Sequence, residues 1–83
     1  MAVRIHPHAV ERMAERGASL EEVVATVESG ERFPAKYGRT GFRMEFPNVG
    51  IKGGKHYRIK QIDAFAVFED DGWLVITVIV KYY

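Results

Sequence analysis

The stretch His8–Gly30, HAVERMAERGASLEEVVATVESG, predicts two helices separated by a short break. Gly17 follows Arg16 at the position where a left-handed residue typically ends a helix. Ser19 and Glu22 then have the spacing of a capping box, which begins a second helix. Because the connection is so short, the sequence favours an antiparallel helical hairpin.

Both helices have the pattern of one apolar face. In the second helix, apolar residues recur at i, i+3, i+4 and i+7 until Ser29 and Gly30; these residues are Leu20, Val23, Val24 and Val27. Pro7 fits the first turn of the first helix, where its missing N–H costs nothing, and His6 lies just outside. Each helix is therefore expected to pack its apolar face on another layer of structure.

After Pro34 the apolar period changes to two, which indicates strands. The predicted strands are residues 42–46, 56–62, 64–68 and 73–83, with an interruption at Asp63. The last strand is apolar on both faces for most of its length, as is typical of a central strand. Residues 1–83 are thus predicted to form one α+β domain, in which the N-terminal helical hairpin packs on a three- to four-stranded antiparallel sheet.

The composition excludes several classes of protein. The 83 residues include no cysteine, which excludes a disulfide scaffold and thiolate metal sites. The sequence opens without a signal-peptide pattern, and its longest apolar run, Trp73–Val80, is far short of the roughly 20 residues of a membrane helix. We expect a cytoplasmic protein without membrane association and without a cofactor.

The net charge of +1 is unevenly distributed along the chain. Residues 1–33 carry a net −2, residues 34–60 a net +6 and residues 61–83 a net −3. A basic middle third is a modest electrostatic footprint for a polyanion, and it is weaker than the basic stripe of proteins that bind nucleic acid by charge alone.

One polar stripe of the first helix carries groups suited to RNA chemistry. A helix turns about 100° per residue, so His8, Arg12 and Arg16 lie along one line. The imidazole titrates near neutral pH, and the guanidinium groups are permanent, fork-shaped phosphate ligands. The alternative is a solvated face, because Glu11 and Glu15 share the polar arc and stand three residues from His8 and Arg12.

Further cations are expected on the sheet. Arg43, Arg58 and Lys60 would line the face away from the helices and, with Arg16, bind single-stranded RNA. They are equally the ordinary outward positions of an amphipathic sheet. His6 and His8 form a His-x-His pair, but no third ligand stands at a recognisable spacing, so no metal site is predicted.

Several short motifs carry a family resemblance. His8-Ala9, Arg12-Met13 and Arg16-Gly17-x-Ser19, followed by an amphipathic helix and a final Val75-Ile76-Thr77-Val78, resemble a family of short bacterial proteins classed as a domain of unknown function. That family is similar to the RelE, ParE and BrnT toxins, within the group of barnase-like, colicin-type and RelE-like ribonucleases. The resemblance covers nearly the whole chain and implies a RelE-like fold.

The resemblance also implies an activity. It points to a metal-independent endoribonuclease toxin, in which a residue of the first helix and one of the last strand flank the scissile phosphate; His8 and Thr77 match those places. A cognate antitoxin would be the partner and RNA, free or on the ribosome, the substrate, with self-association left open. Because ParE-like relatives attack a gyrase instead, a non-catalytic toxin and a small interaction module remain alternatives.

RNA supplies its own nucleophile, the 2′-OH, so the protein must move protons and stabilise the phosphorane. His8 is assigned as acid or base and Arg12 as the ligand of the phosphorane oxygens, while Thr77 and Lys81 supply orientation and charge. The second proton-transfer group is left open among four residues: Glu15, His56, Tyr57 and Tyr82.

Overall fold

The computed structural model describes residues 2–47, 51–52 and 54–83, and these residues form two helices and seven strands. In chain order they are β1 (Ala2–Ile5), α1 (Pro7–Arg16), α2 (Leu20–Ser29), β2 (Glu31–Pro34), β3 (Thr40–Pro47), β4 (Ile51–Lys52), β5 (Lys55–His56), β6 (Ile59–Glu69) and β7 (Gly72–Tyr82). The short strands β4 and β5 pair only with each other.

The other five strands form one mixed sheet in the order β1-β7-β6-β3-β2. β1 runs parallel to β7, from Ala2 opposite Gly72 to Ile5 opposite Val75, whereas the remaining pairs are antiparallel. The predicted helical hairpin on a three- to four-stranded antiparallel sheet of the RelE type is therefore wrong. β1 and β2 have four residues each, too few for alternation alone to identify a strand, and pairing with longer strands holds them extended.

β6 runs unbroken from Ile59 to Glu69, although the sequence predicts an interruption at Asp63. Asp63 is tolerated within the strand because Arg43, its neighbour on β3, binds both of its carboxylate oxygens. A buried charge that is paired in this way does not end a strand.

The predicted helix ends are confirmed. His6 caps α1, since its Nδ1 accepts a hydrogen bond from the backbone N–H of His8 at 3.1 Å. Gly17 ends α1 in the left-handed conformation, with φ at +80°. Ser19 and Glu22 form both hydrogen bonds of the capping box that begins α2.

The two helices do not form the predicted hairpin. α1 packs on β7, α2 packs on β3 and β6, and each helix contacts the sheet more extensively than it contacts the other. A sheet of five strands is wide enough for each helix to bury its apolar face on strands of its own.

The core lies between the helices and one face of the sheet. The helices contribute Ala9, Met13, Val23 and Val27, and the sheet contributes Phe42, Ile62, Ala64, Ala66, Trp73, Val75 and Val78. Leu20 is 56% exposed, so its place in the predicted apolar stripe is wrong. Thr26 is buried instead, and its hydroxyl donates to the carbonyl oxygen of Glu22 at 2.7 Å.

In the described part of the chain, neither helix has the length and apolar character needed to cross a membrane.

Candidate functional site at the edge of the last strand

α1 lies alongside the second half of β7 and runs in the same direction. At its start, the backbone N–H of His6 donates to the carbonyl oxygen of Val75 at 2.9 Å. At its end, the Arg16 guanidinium donates to the carbonyl oxygen of Val78 at 2.5 Å, and the Tyr82 hydroxyl donates to the carbonyl oxygen of Arg16 at 2.8 Å. These three bonds hold the polar stripe of α1 beside β7.

On one side of the second half of β7 no described strand is paired, and the Arg16 guanidinium binds the Val78 carbonyl oxygen there. β1 pairs with β7 only as far as Val75, and among the described residues no other strand follows on that side. Ile59 and Tyr83 exchange both backbone hydrogen bonds, and in an antiparallel pair only every second residue does so. Val78 and Val80 are at the intervening positions, so their backbone N–H and C=O groups point away from β6. We refer to this side of residues 77–81 as the open edge.

The polar stripe lies on the helix-covered side of the open edge. His8 is exposed, whereas Arg12 is half-buried and its Nη1 lies 3.1 Å from a carboxylate oxygen of Glu15. An exposed pair of this kind is weak, so a phosphate can compete for the Arg12 guanidinium. Arg16 has N–H groups beyond the one that binds Val78, and these can also donate to an anion.

The predicted residues of the last strand lie on the other face of the sheet. Val78 is buried beneath the helices, and side chains alternate between faces along a strand, so Thr77, Ile79 and Lys81 project from the opposite face. The four residues predicted to be catalytic are therefore split between two faces, which meet at the open edge.

One residue of the His-x-His pair, His6, has a structural role. The Nδ1 of His6 accepts the N-cap hydrogen bond of α1, which occupies one of its two ring nitrogens. Within the described residues, no group of three or more histidine, aspartate or glutamate side chains is placed to hold a metal ion.

Arg43 lies on the expected face but is bound to a carboxylate. Its Nε and Nη2 donate to the two oxygens of Asp63 at 2.8 and 3.0 Å, and its guanidinium lies 4.8 Å from the centre of the Phe33 ring. The hydrogen bond and the charge of Asp63 raise the pKa of Arg43. Since Asp63 is only 4% exposed, this pair is part of the folded framework rather than a cation available to RNA.

The ion pair belongs to a polar network that the sequence does not reveal. Gln61 donates to Asp63 at 3.2 Å, and the Tyr83 hydroxyl contacts both Gln61 and a carboxylate oxygen of Glu45, the latter at 3.1 Å. Desolvation and the Glu45 carboxylate raise the pKa of Tyr83. The only sequence signal for the network is a charged residue, Asp63, inside an apolar strand.

Lys60 lies on the opposite face from the one predicted. Its Nζ donates to the Glu22 carboxylate at 2.8 Å and to the carbonyl oxygen of Gly17 at 2.9 Å, so it ties β6 to both helices. Burial raises the pKa of Glu22, but the hydrogen bonds from Lys60 and from the Ser19 backbone outweigh burial and leave that pKa below its ordinary value. Arg58 precedes β6 and is exposed, with no carboxylate at ion-pair distance among the described residues.

Three of the four residues considered for the second proton transfer, Glu15, Tyr57 and Tyr82, can be placed relative to α1. Glu15 binds Arg12 on α1 itself. Tyr82 contacts the last residue of α1, and the ring of Tyr57 lies 5.9 Å from that of Tyr82. These tyrosines therefore lie near the end of α1, about 12 Å along the helix from His8, whereas Glu15 binds the stripe residue Arg12 directly.

Fold and site together define a small α+β protein with two helices on one face of a five-stranded mixed sheet and a polar stripe beside an open strand edge. Residues 5–80 match the family described as Domain of unknown function (DUF4258), and the chain belongs to that family. No curated protein and no solved structure matches the chain. These comparisons agree with the expected domain of unknown function and give no support to a relation with the RelE, ParE or BrnT toxins.

Proposed function

We propose that the protein is a metal-independent endoribonuclease that binds single-stranded RNA along the open edge of β7. The supporting observation is that no described strand pairs with this edge. Because no described strand covers it, side chains from both faces of the sheet can reach a nucleic-acid backbone that lies along it. The polar stripe of α1 would contact the RNA from one face, and Thr77 and Lys81 from the other.

The chemistry of the stripe suits cleavage by the 2′-OH of RNA. Glu15, whose carboxylate is released when the phosphate binds Arg12, would accept the 2′-OH proton as the 2′-oxygen bonds to phosphorus. The protonated His8 imidazole would donate a proton to the 5′-oxygen as the bond from that oxygen to phosphorus breaks. The Arg12 guanidinium would bind the phosphorane oxygens through paired N–H donors. Lys81 would neutralise charge, and Thr77 would orient a phosphate oxygen through its hydroxyl.

The contacts to flanking phosphates would come from few cations. Arg16 and Arg58 are assigned here, since both retain N–H donors. Arg43 and Lys60 are left out of this surface, because each is bound to a carboxylate in the folded protein.

Purified protein incubated with RNA in the presence of a chelator tests the proposal. We expect cleavage that leaves a 2′,3′-cyclic phosphate or 3′-phosphate and a 5′-hydroxyl, as attack by the 2′-OH requires. A substrate with a single 2′-deoxy nucleotide at the cut site should resist cleavage. Cleavage of that substrate, or 5′-phosphate ends, would point to an activated water and contradict the mechanism.

His8→Ala tests the assigned residue, with Glu11→Ala, on the same helix, as the matched control. Both side chains are exposed, so neither substitution should change the melting temperature appreciably. His8→Ala should reduce cleavage by about 10²- to 10⁴-fold, the usual range for loss of a general acid or base. Full activity in folded His8→Ala would remove His8 from the mechanism.

We further propose that the enzyme acts in the cytoplasm as the toxin of a toxin–antitoxin pair. The cognate antitoxin would be a co-expressed protein that covers the open edge and blocks RNA. The test is induction of the gene in a bacterial host with and without its neighbouring gene. Growth inhibition that the neighbour does not relieve would contradict the pairing.

A non-enzymatic interaction module is the second candidate, favoured by the sheet face away from the helices. Phe33 and Phe65 pack edge to face there with ring centres 5.9 Å apart, and Ile79 is 39% exposed. No described helix covers this face. If the protein inhibits growth without cleaving RNA, and Ile79→Asp relieves inhibition in a folded protein, this face is the functional surface.

A further inference from the structure

A cleft of about 230 Å³ lies on the helix-covered side of the sheet, near the turn that joins β6 to β7. β1, β2, β7 and the end of α2 contribute its lining residues: Val3, Val27, Glu28, Arg32 and Trp73. α1 begins only after Ile5, which stands opposite Val75, so the first residues of β7 extend beyond the start of that helix. The cleft is smaller than the pockets that take drug-sized ligands and suits a single ring system.

One aromatic side chain, Trp73, lines the cleft, and the Arg32 guanidinium lies over its ring. The Arg32 guanidinium lies 5.2 Å from the centre of the Trp73 ring and 5.3 Å from that of Phe42. Phe68 packs edge-on against Trp73 with ring centres 5.1 Å apart, and it is 52% exposed. Unlike Arg43, Arg32 has no carboxylate at ion-pair distance among the described residues. It is a cation held in place by rings, and its N–H groups are available to a ligand.

Glu28 brings a carboxylate to the same cleft. It stands on the last turn of α2 and is exposed, and its carboxylate has no hydrogen bond or ion pair among the described residues. Arg32 and Glu28 together make the lining electrically neutral. A lining of this kind favours an uncharged ring with polar edges over a phosphate group.

We propose that this cleft binds a guanine ring. Nucleobases stack on guanidinium planes, and the exposed Arg32 guanidinium, held in place over the Trp73 ring, offers one. Among the bases, guanine alone presents two adjacent N–H donors on its Watson–Crick edge, and a carboxylate accepts two such hydrogen bonds. Adenine and cytosine place a ring acceptor beside their amino group, which a carboxylate repels. Glu28 is therefore the residue that selects guanine.

The site deepens the proposed function, since a guanine held here would give RNA cleavage a base preference. The assignment of the guanine to RNA rests on the proposed function, whereas binding of the guanine ring does not require cleavage. Binding is therefore measured first, without any RNA substrate.

Trp73 is the only tryptophan of the chain and lines the cleft, so its fluorescence reports occupancy directly. The full chain is titrated with GMP, AMP, CMP and UMP, with correction for absorption by the nucleotides. We expect GMP to change the emission with an affinity roughly five- to a hundredfold higher than AMP, which is the discrimination that one bidentate contact gives. Equal affinity for the four nucleotides, or no change of emission at millimolar concentrations, would overturn the proposal.

Two substitutions separate selection from stacking. Glu28→Gln should leave weak binding but abolish the preference for GMP, and Arg32→Ala should abolish binding. Glu21→Gln, on the first turn of the same helix, is the control for the first. Arg39→Ala is the control for the second, because Arg39 also lies over an aromatic ring, 5.8 Å from the centre of Tyr37, but lines no part of the cleft. An unchanged GMP preference in folded Glu28→Gln would overturn the assignment.

A further titration identifies the source of the guanine. Short uridine oligonucleotides with and without one internal guanosine are compared with GMP in the same assay. Tighter binding of the guanosine oligonucleotide assigns the site to RNA, and binding of GMP alone assigns it to a free nucleotide. Because neither measurement involves cleavage, failure of the ribonuclease proposal and failure of the guanine site give different results.

Discussion

Gly30→Ala tests how α2 is joined to the sheet. Gly30 follows α2 and has φ −76° and ψ 171°, which any residue adopts, so its role is close approach rather than backbone freedom. A Cβ atom at this position would lie 2.4 Å from the carbonyl oxygen of Thr26 and 2.7 Å from that of Arg43. Both atoms belong to the backbone, and neither can retreat easily. The Thr26 oxygen accepts the Gly30 N–H at 2.9 Å, and Arg43 lies within β3.

The expected cost follows from that contact. An added group in a closely packed site usually lowers the free energy of unfolding by about 1–3 kcal/mol, and we expect a clash with two fixed oxygens to cost about 3 kcal/mol. Alanine also restricts the unfolded chain more than glycine does, which offsets about 0.4–1 kcal/mol of that loss. The net loss of roughly 2 kcal/mol is a large share of the total, since a chain of this length has a free energy of unfolding of roughly 4–12 kcal/mol.

Thermal unfolding followed by circular dichroism measures the effect. A loss of roughly 2 kcal/mol lowers the melting temperature by about 8–16 °C in a domain of this size. Ser29→Ala, at the exposed neighbouring position, is the control and should change stability by less than about 0.5 kcal/mol. A melting temperature for Gly30→Ala within two degrees of the unsubstituted protein would show that the chain between α2 and β2 does not pass so close to the β3 backbone at Arg43.

Three further predictions concern the helices and the open edge. The pKa of Glu22 in the folded protein lies below its ordinary value of 4.5, so its carboxylate stabilises the fold above that pH and the contribution is lost as pH falls through the folded value. Urea midpoints of Glu22→Gln should accordingly depend less on pH in this acidic range, and an unchanged pH dependence would contradict the linkage. Val23→Asp should unfold the domain, because Val23 is fully buried and an unpaired charge there costs several kcal/mol. Val24→Asp, at a half-buried position, should lower the free energy of unfolding by less. If circular dichroism showed the reverse order, another face of α2 would pack on the sheet. RNA affinity should fall with salt with a slope of about −2 to −3, since roughly three or four cations contact phosphate, and a slope steeper than about −5 would require cations beyond the open edge.

Local chemistry made the helix ends predictable from sequence. A capping box, a left-handed glycine and a proline in the first turn act over a few residues, so the sequence contains both the signal and its partner. β1 differs, because its pairing with β7 joins residues about seventy positions apart. Four residues cannot reveal such a partner, and without it neither the mixed sheet nor the separation of the helices could be anticipated.

The same distinction applies to the site. His8, Arg12 and Arg16 form a stripe by spacing alone, and the helix exists as predicted. Arg43 and Lys60 depend on partners 20 and 38 residues away, and those partners are fixed by strand register and by helix placement. Lys60 also changes face, because the residues of β6 that face the helices are Ile62 and Ala64, and Lys60 alternates in step with them.

Charge along the sequence and charge on the surface are therefore different quantities in this protein. Residues 34–60 carry most of the positive charge, but two of their cations, Arg43 and Lys60, are bound to carboxylates from other parts of the chain. The cations beside the open edge come instead from the two acidic thirds: Arg12 and Arg16 from the first and Lys81 from the last. A ligand of the open edge would thus be held by a few placed groups and by the exposed strand rather than by a broad basic field. This arrangement favours recognition of a short single-stranded segment over non-specific binding to duplex nucleic acid, for which an extended row of phosphate contacts is needed.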